Sequence, residues 1–377
     1  MRRRKEDPVS DTQSLRILHL IQSRRFAGSE RLMLTLADEQ RRAGHEVHVA
    51  VKPGGPLQSV LASDGWQAIP IALGRPWTAL QLRRYLRHHP VDIVHAHLSQ
   101  AVRLGVRVGK QLGLCTIGHA HVYKPGKAYQ TLAENGSLIA ISRDIQAYYA
   151  KMAGVAEPTL PLIENGVDRR FTPRSVDSQR VRALRQSLDV ADEDCLLTLT
   201  GRLAEQKGAD VLVEACAELA RHDLRPQLRL FGAGQGASEW ARRLQQRIEG
   251  LGLSRAVRLA GFADDVALLM AASDIHVVPS RYEPFGLTAI EGMAMGTAVV
   301  ASRVGGLAEV ISDEVDGCLV PAADPKALAD CLAGLMIDPD KRQRLGQAAM
   351  ATVERRFSGQ AMAQRVEALY RQQLASA

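Results

Sequence analysis

Val277–Glu309 has the sequence VVPSRYEPFGLTAIEGMAMGTAVVASRVGGLAE. An apolar run ends at Ser280, a loop carries Glu283, and Gly286 precedes a helical stretch holding Glu291. A second apolar run, TAVVAS, then leads to Gly305, Gly306 and another helix start. This alternation of strand, glycine loop and helix is the rhythm of a parallel sheet covered on both faces. Ligands of such sheets bind beyond the C-terminal ends of the strands. There a glycine lets the backbone approach, while unpaired N–H groups and the helix dipole attract an anion. A carboxylate such as Glu291 suits a pair of vicinal hydroxyls, as on a ribose. Tight turns alone explain either junction; two in succession with carboxylates predict a ligand cradle.

Working outward, strand candidates CLLTLTG, QLRLFGAG, AVRLAGF and GCLVP alternate with helices in the same half of the chain. LRILHLI, EVHVAV, WQAIPIA, VDIVHAH, CTIGHAH, SLIAIS and TLPLIENG do so in the other half. In the helix over ERLMLTLADEQRRAG, Leu32, Leu36 and Gln40 mark successive turns. The charged segment DRRFTPRSVDSQRVRALRQSLDVA interrupts the rhythm. We therefore expect two doubly wound, Rossmann-like α/β domains facing a cleft. The expected division is a basic extension at 1–14, a first domain at 15–168, a linker at 169–191, a second domain at 192–357 and a tail at 358–377.

Of 377 residues, 46% are hydrophobic and 24% charged, a balance that excludes extensive disorder. The first 170 residues carry a net charge of +10 and the remainder −3. The basic surface thus belongs to the first half and attracts anionic partners. Five cysteines without a CxxC pair argue against a disulfide framework or a structural zinc site, and point to a reducing, cytoplasmic setting. No apolar run approaches the roughly 18 residues of a membrane span.

In GRLAEQKG (Gly201–Gly208), Arg202 and Lys207 follow a strand, where a planar fork of donors and a point charge suit a diphosphate. FGAGQGA imitates a dinucleotide fingerprint through Gly232, Gly234 and Ala237. The next strand, AVRLAGF, ends at Phe262 without the acidic residue that fingerprint requires, so nicotinamide is rejected and a loop bordering the same site is kept. In FAGSER, Gly28 permits backbone approach and Ser29 is placed to cap the helix. His95 and His97 share one face of their strand, as do His119 and His121. No carboxylate or cysteine stands at ligand spacing, so no metal is expected. His121, last on its strand, is the one placed to reach a substrate hydroxyl, with structural roles for His95 and His97.

These motifs, in this order, resemble the group-1 type of family four glycosyltransferases. The signature is Glu283-Pro284-Phe285-Gly286-Leu287 through Glu291, with Arg202 and Lys207, the Gly232/Gly234 loop and Gly305-Gly306…Glu309 in step. ENGVD (Glu164–Asp168), AGSER, AGHEV and VHAH match in the first half, and the likeness covers about residues 15–355. Departures are Ala27 in the first glycine loop, which leaves acceptor-side contacts open, Gly292 after the second glutamate, and Thr297. The resemblance implies a GT-B fold and retaining, metal-independent transfer of a hexose from a nucleotide-diphosphate sugar, without a cofactor. It places Arg202 and Lys207 on the leaving diphosphate and Glu291 on the ribose. Glu283 and the amides of Phe285, Gly286 and Leu287 would hold the donor sugar and its phosphates, with His121 near the reacting carbon. Gly28, Gly232, Gly234, Phe262 and Gly305 would border the donor.

On the acceptor side, Ser29 and the HVYKPGK loop residues Tyr123, Lys124 and Lys127 are candidates for a glycan, lipid-linked or phosphorylated acceptor. A basic first half fits work at an anionic membrane surface in cell-envelope polysaccharide, lipopolysaccharide or glycolipid synthesis. Three alternatives stand beside this: a nucleotide-sugar epimerase of the same fold, a glycoside hydrolase pairing Glu283 with Glu291, and a basic binding protein. No nucleic-acid module supports the last.

Overall fold

The computed structural model describes residues 13–376, apart from 23–25, 73–74, 76, 223, 225 and 233–238. The chain forms two compact units, one of residues 1–166 and 359–377, the other of residues 167–358. The first contains strands β1 (Arg16–Ile21), β2 (Glu46–Val51), β3 (Ala68–Pro70), β4 (Ile93–His97), β5 (Cys115–Ala120) and β6 (Leu138–Ala140). They form one parallel sheet in the order β3-β2-β1-β4-β5-β6. The second contains β7 (Leu196–Thr200), β8 (Gln227–Phe231), β9 (Val257–Gly261), β10 (Ile275–Val278), β11 (Ala298–Ser302) and β12 (Cys318–Val320). Their order is β12-β11-β10-β7-β8-β9, again parallel. In both sheets the order reverses beside the first strand, between β1 and β4 and between β7 and β10. Those switch points are where a doubly wound sheet opens its binding crevice.

Burial follows the expected periodicities. Every residue of β4, β10 and β11 is buried, as a strand covered on both faces requires. On the helix Gly28–Arg42, Leu32, Leu36 and Gln40 lie on the buried stripe, so a polar amide is carried into the interior. The helix Gly359–Ala375 belongs to the first unit and buries Met362, Val366 and Tyr370. Among the described residues, no helix is long and apolar enough to cross a membrane.

Residues 169–191, expected as a linker, fold with the second unit. Asp177 caps the helix Ser178–Ser187 by accepting from the Gln179 N–H, and Val181, Leu184 and Leu188 pack against Val190, Leu196 and Ala272. Arg185 donates to the Ala272 carbonyl and to Asp274, both at 3.0 Å. The buried Arg229 of β8 donates to the carbonyls of Leu188, at 2.6 Å, and Ala256, at 3.2 Å. The charged segment that suggested a linker instead supplies Arg185 as a donor and the Leu188 carbonyl as an acceptor for Arg229. Charge-assisted bonds of this kind are worth more than neutral ones. Arg229→Ala should therefore cost about 2–4 kcal/mol. For a unit of this size that lowers the melting temperature by roughly 5–15 °C in scanning calorimetry; a shift below about 2 °C would show the stitching to be dispensable.

Candidate functional site

At the switch point of the second sheet, two loops are laced together. The loop after β7 runs through a short 3-10 turn, Glu205–Lys207, to Gly208 in the left-handed region at φ +67°. A Cβ on Gly208 would lie 1.9 Å from the Pro279 carbonyl oxygen, so only glycine admits the loop after β10 this closely. From that second loop, the Arg281 N–H donates to the Gln206 carbonyl at 2.8 Å. Its guanidinium spans both Asp210 carboxylate oxygens, at 2.9 and 2.6 Å, and reaches the Glu205 carbonyl at 2.6 Å. This fork holds the Arg281 charge firmly protonated, chiefly through its bond to Asp210.

So anchored, the loops bring Lys207 Nζ to 2.5 Å from Glu283 Oε2, an ion pair with side chains 18% and 12% exposed. Ser280 Oγ donates to the same carboxylate oxygen at 3.3 Å. Beyond Glu283 the chain turns at Gly286 (φ +110°) into the helix Leu287–Ala294. The amides of Phe285, Gly286 and Leu287 donate to no described group, leaving the helix start open to an anion. Glu291 is half-buried one turn into that helix. The turn after β11 supports the loop from behind: the Gly306 N–H donates to the Glu283 carbonyl at 2.9 Å, and a Cβ there would lie 2.4 Å from Phe285 Cα.

Gly201, Gly232 and the Leu203 side chain close the site toward β8, where a Cβ on Gly232 would meet Leu203 Cγ at 2.4 Å. Arg202 is exposed. The Phe285 ring is buried edge-on against Phe357, so this residue can offer only its backbone to a ligand.

In the first unit, β1, β4 and β5 carry His19, His95, His97 and His119, and His121 follows β5 directly. His19 pairs in register with His95, and His97 with His119. The rings stack in succession, at centroid distances of 4.4 Å for His95–His97 and for His119–His121. Burial holds the His19 and His121 imidazoles down at about 4, the Gln40 hydrogen bond opposing it at His19. His95, His97 and His119 are also driven below the usual range, by burial first and by neighbouring histidines second. Strand spacing alone predicted no metal. In three dimensions the nitrogens of His19, His95 and His97, and of His97, His119 and His121, lie within 4.8 Å of one another. Both His97 nitrogens, however, already contact imidazole partners, at 3.0 and 3.1 Å.

Comparison with known proteins places these features. The profile described as Glycosyl transferases group 1 matches residues 181–352, and that described as Glycosyltransferase Family 4 matches residues 26–171. A D-inositol 3-phosphate glycosyltransferase of Saccharomonospora viridis is 34% identical over 312 residues, covering 76% of this chain and 71% of that protein. The chain belongs to the group 1 glycosyltransferases. The protein of the same name from Salinispora arenicola is 37% identical over 285 residues, 68% of this chain; the chain spans 64% of its length, under two thirds. Among solved structures, Anabaena HepE in complex with UDP-glucose superposes with a TM-score of 0.82 at 25% identity, covering 94% of this chain and 99% of that one. The fold is thus the GT-B fold of glycosyltransferases.

Against the family pattern, the second unit joins Lys207, Glu283, Gly286 and the amides of residues 285–287 in one site, with Glu291 on the helix they open. Gly305, at φ +44°, lies in the turn supporting them. Phe262, 49% exposed, follows the edge strand β9, two strands from β7. Gly234 falls outside the described residues. In the first unit, Ser29 does not cap the helix at 28–42. Ala27 is the cap residue, the Glu30 carboxylate accepts from its N–H at 3.0 Å, and Ser29 Oγ donates to the same carboxylate at 3.1 Å. Gly28 is the first residue of that helix. Tyr123 donates its hydroxyl to Asp144, and Lys124 and Lys127 are exposed.

Sequence reasoning missed His19, Tyr370, the polar contacts of Gln40 and the Arg281–Asp210 clamp. The signals available were a polar residue on an otherwise apolar helix stripe, and an arginine beside the signature glutamate.

Proposed function

We propose that this glycosyltransferase moves a hexose from a nucleotide-diphosphate sugar to a phosphorylated acceptor, with retention of anomeric configuration and without a metal ion. The observation that carries the reading is the Lys207–Glu283 pair beside the open amides of residues 285–287. Breaking a glycosidic bond to a diphosphate separates a sugar cation from an anion. Adjacent fixed charges of both signs, with open N–H donors in the same loop as Glu283, match that separation without reorganising. Arg202, exposed at the same strand end, adds a second cation for the diphosphate. Glu291 serves the ribose hydroxyls, and His121 in the first unit serves a donor hydroxyl.

The HepE complex makes UDP-glucose the donor to test first. The curated relatives act on an inositol phosphate by name, and a first half carrying +10 favours a negatively charged acceptor. We place the reaction at the cytoplasmic face of an anionic membrane, in envelope glycan or glycolipid synthesis. The hydrolase alternative would leave Glu283 free to act as an acid opposite Glu291; here its carboxylate is held by Lys207 and Ser280.

A thermal-shift panel of UDP, GDP, ADP and their sugars, run in EDTA, tests the reading. A ligand at 100 times its dissociation constant should stabilise by about 2.7 kcal/mol. Stabilisation by one nucleotide family, lost in Arg202→Ala and Glu291→Ala, is the expected result. A folded protein indifferent to every nucleotide sugar would overturn it.

A further inference from the structure

The buried polar groups of the first unit form a single file. Gln40 Oε1 lies 2.7 Å from His19 Nε2, His19 Nδ1 lies 3.0 Å from His97 Nε2, and His97 Nδ1 lies 3.1 Å from His121 Nε2. At the other end, Gln40 Nε2 donates to the Tyr370 hydroxyl at 3.2 Å, and that hydroxyl lies 2.5 Å from His95 Nδ1. His19, His95 and His97 are fully buried and His121 is 8% exposed, so the file reaches the surface only at His121.

A neutral imidazole has one N–H and one bare nitrogen. In a file of such rings, each hydrogen bond therefore fixes the direction of the next. Burial keeps these four histidines neutral at pH 7. Gln40 Oε1 can only accept, which puts the His19 proton on Nε2 and leaves its Nδ1 bare. His97 then donates from Nε2 to His19, and His121 donates from Nε2 to His97. The Tyr370 hydroxyl accepts from the Gln40 amide and gives its own proton to His95 Nδ1, which sets the amide's orientation. Reversing the file would require the amide, the hydroxyl and all the rings to change together, so it behaves as one unit with two states.

We propose that Gln40 is a positioning residue: through His19 and His97 it holds His121 in the Nε2–H tautomer, so that His121 Nδ1 accepts a hydrogen bond from a substrate hydroxyl. The identity of that hydroxyl, on the donor sugar, rests on the transferase reading; the tautomer does not. The opposite tautomer would present a donor and favour an ether or carbonyl oxygen instead. Gln40 thus contributes to specificity from a position that touches no substrate.

The test is two-bond 15N–1H correlation spectroscopy of the full chain labelled at histidine, at pH 7, with the His121 signals identified by their loss in His121→Gln. The expected result is a single Nε2–H pattern for His121 in the wild type. In Gln40→Met, similar in size but without the amide, both tautomers should be populated. An Nδ1–H pattern in the wild type, or an unchanged His121 pattern in folded Gln40→Met, overturns the proposal. Should that variant not fold, Tyr370→Phe removes the one oxygen that orients the amide and is read by the same two outcomes. No nucleotide sugar enters the measurement, so a protein that transfers nothing still reports on the file, and a failed file leaves the thermal-shift result standing.

Discussion

On acidification from pH 7 to pH 5, the first unit should lose its fold while the second keeps its own. Five buried histidines line one sheet of the first unit, and among the described residues of the second only His276 is comparable, held down at about 3 by burial. A histidine whose folded value lies below its unfolded value of about 6.5 binds its proton first in the unfolded chain. Its neutral burial is therefore free of penalty above about pH 6.5 and destabilises progressively as pH falls toward the folded value. For His19 and His121 that window runs from about 6.5 down to about 4. At pH 5.5 each such group has cost about 1 kcal/mol. His95, His97 and His119 shift in the same direction and add to this loss. Unit stabilities are typically about 5–15 kcal/mol in all. Hydrogen-exchange mass spectrometry, corrected for intrinsic rates, should show β1, β4 and β5 losing protection near pH 5–5.5 while β7, β10 and β11 retain theirs. Joint loss of both units, or protection of β4 persisting to pH 4, would contradict it.

The same histidines show where sequence reasoning stops. His95, His97, His119 and His121 stood out because two strands end in the same H-x-H spacing, and period-two alternation put each pair on one face. His19 shares LRILHLI with one other polar residue, Arg16, and nothing local distinguishes it from a solvated one. Its meaning depends on the in-register pairing of β1 with β4, a contact spanning 76 residues of chain. Gln40 was placed correctly on its helix stripe by spacing alone, but the hydroxyl that orients it belongs to Tyr370, 330 residues away. Periodicity reads elements and faces; it does not read which faces meet.

The second-unit cradle was more legible because strand end, glycine turn and helix start are contiguous in the chain. Even there the Arg281–Asp210 clamp, 71 residues apart, was invisible. The segment at 169–191 failed for a different reason. Its charges signalled solvent, whereas Arg185 spends its guanidinium on backbone carbonyls, which no composition reveals.

If the donor is a nucleotide-diphosphate sugar as proposed, Lys207→Ala should lower kcat for transfer by about 10²–10³, the loss typical of removing one preorganised partner of a developing anion. Two effects act in the same direction. The cation facing the departing diphosphate is gone, and Glu283, 12% exposed with only the Ser280 hydroxyl still shown beside it, turns an unneutralised carboxylate toward that charge. The second effect makes the pair non-additive. In Glu283→Gln the lysine remains and the sugar cation loses its counter-charge, so turnover should fall by roughly 10–100-fold. In the double variant the stranded carboxylate is absent, and the loss should stay within about tenfold of Lys207→Ala rather than reach the product of the two single losses. Nucleotide release measured with the proposed donor and acceptor gives all four rates, and melting temperatures confirm that each variant is folded. If folded Lys207→Ala turns over within about threefold of the wild type, or the two losses multiply, then Lys207 and Glu283 are not one electrostatic device. The ion pair would then be a strut between two loops, with the charge of the leaving group met by Arg202 and the amides at the start of the Leu287–Ala294 helix.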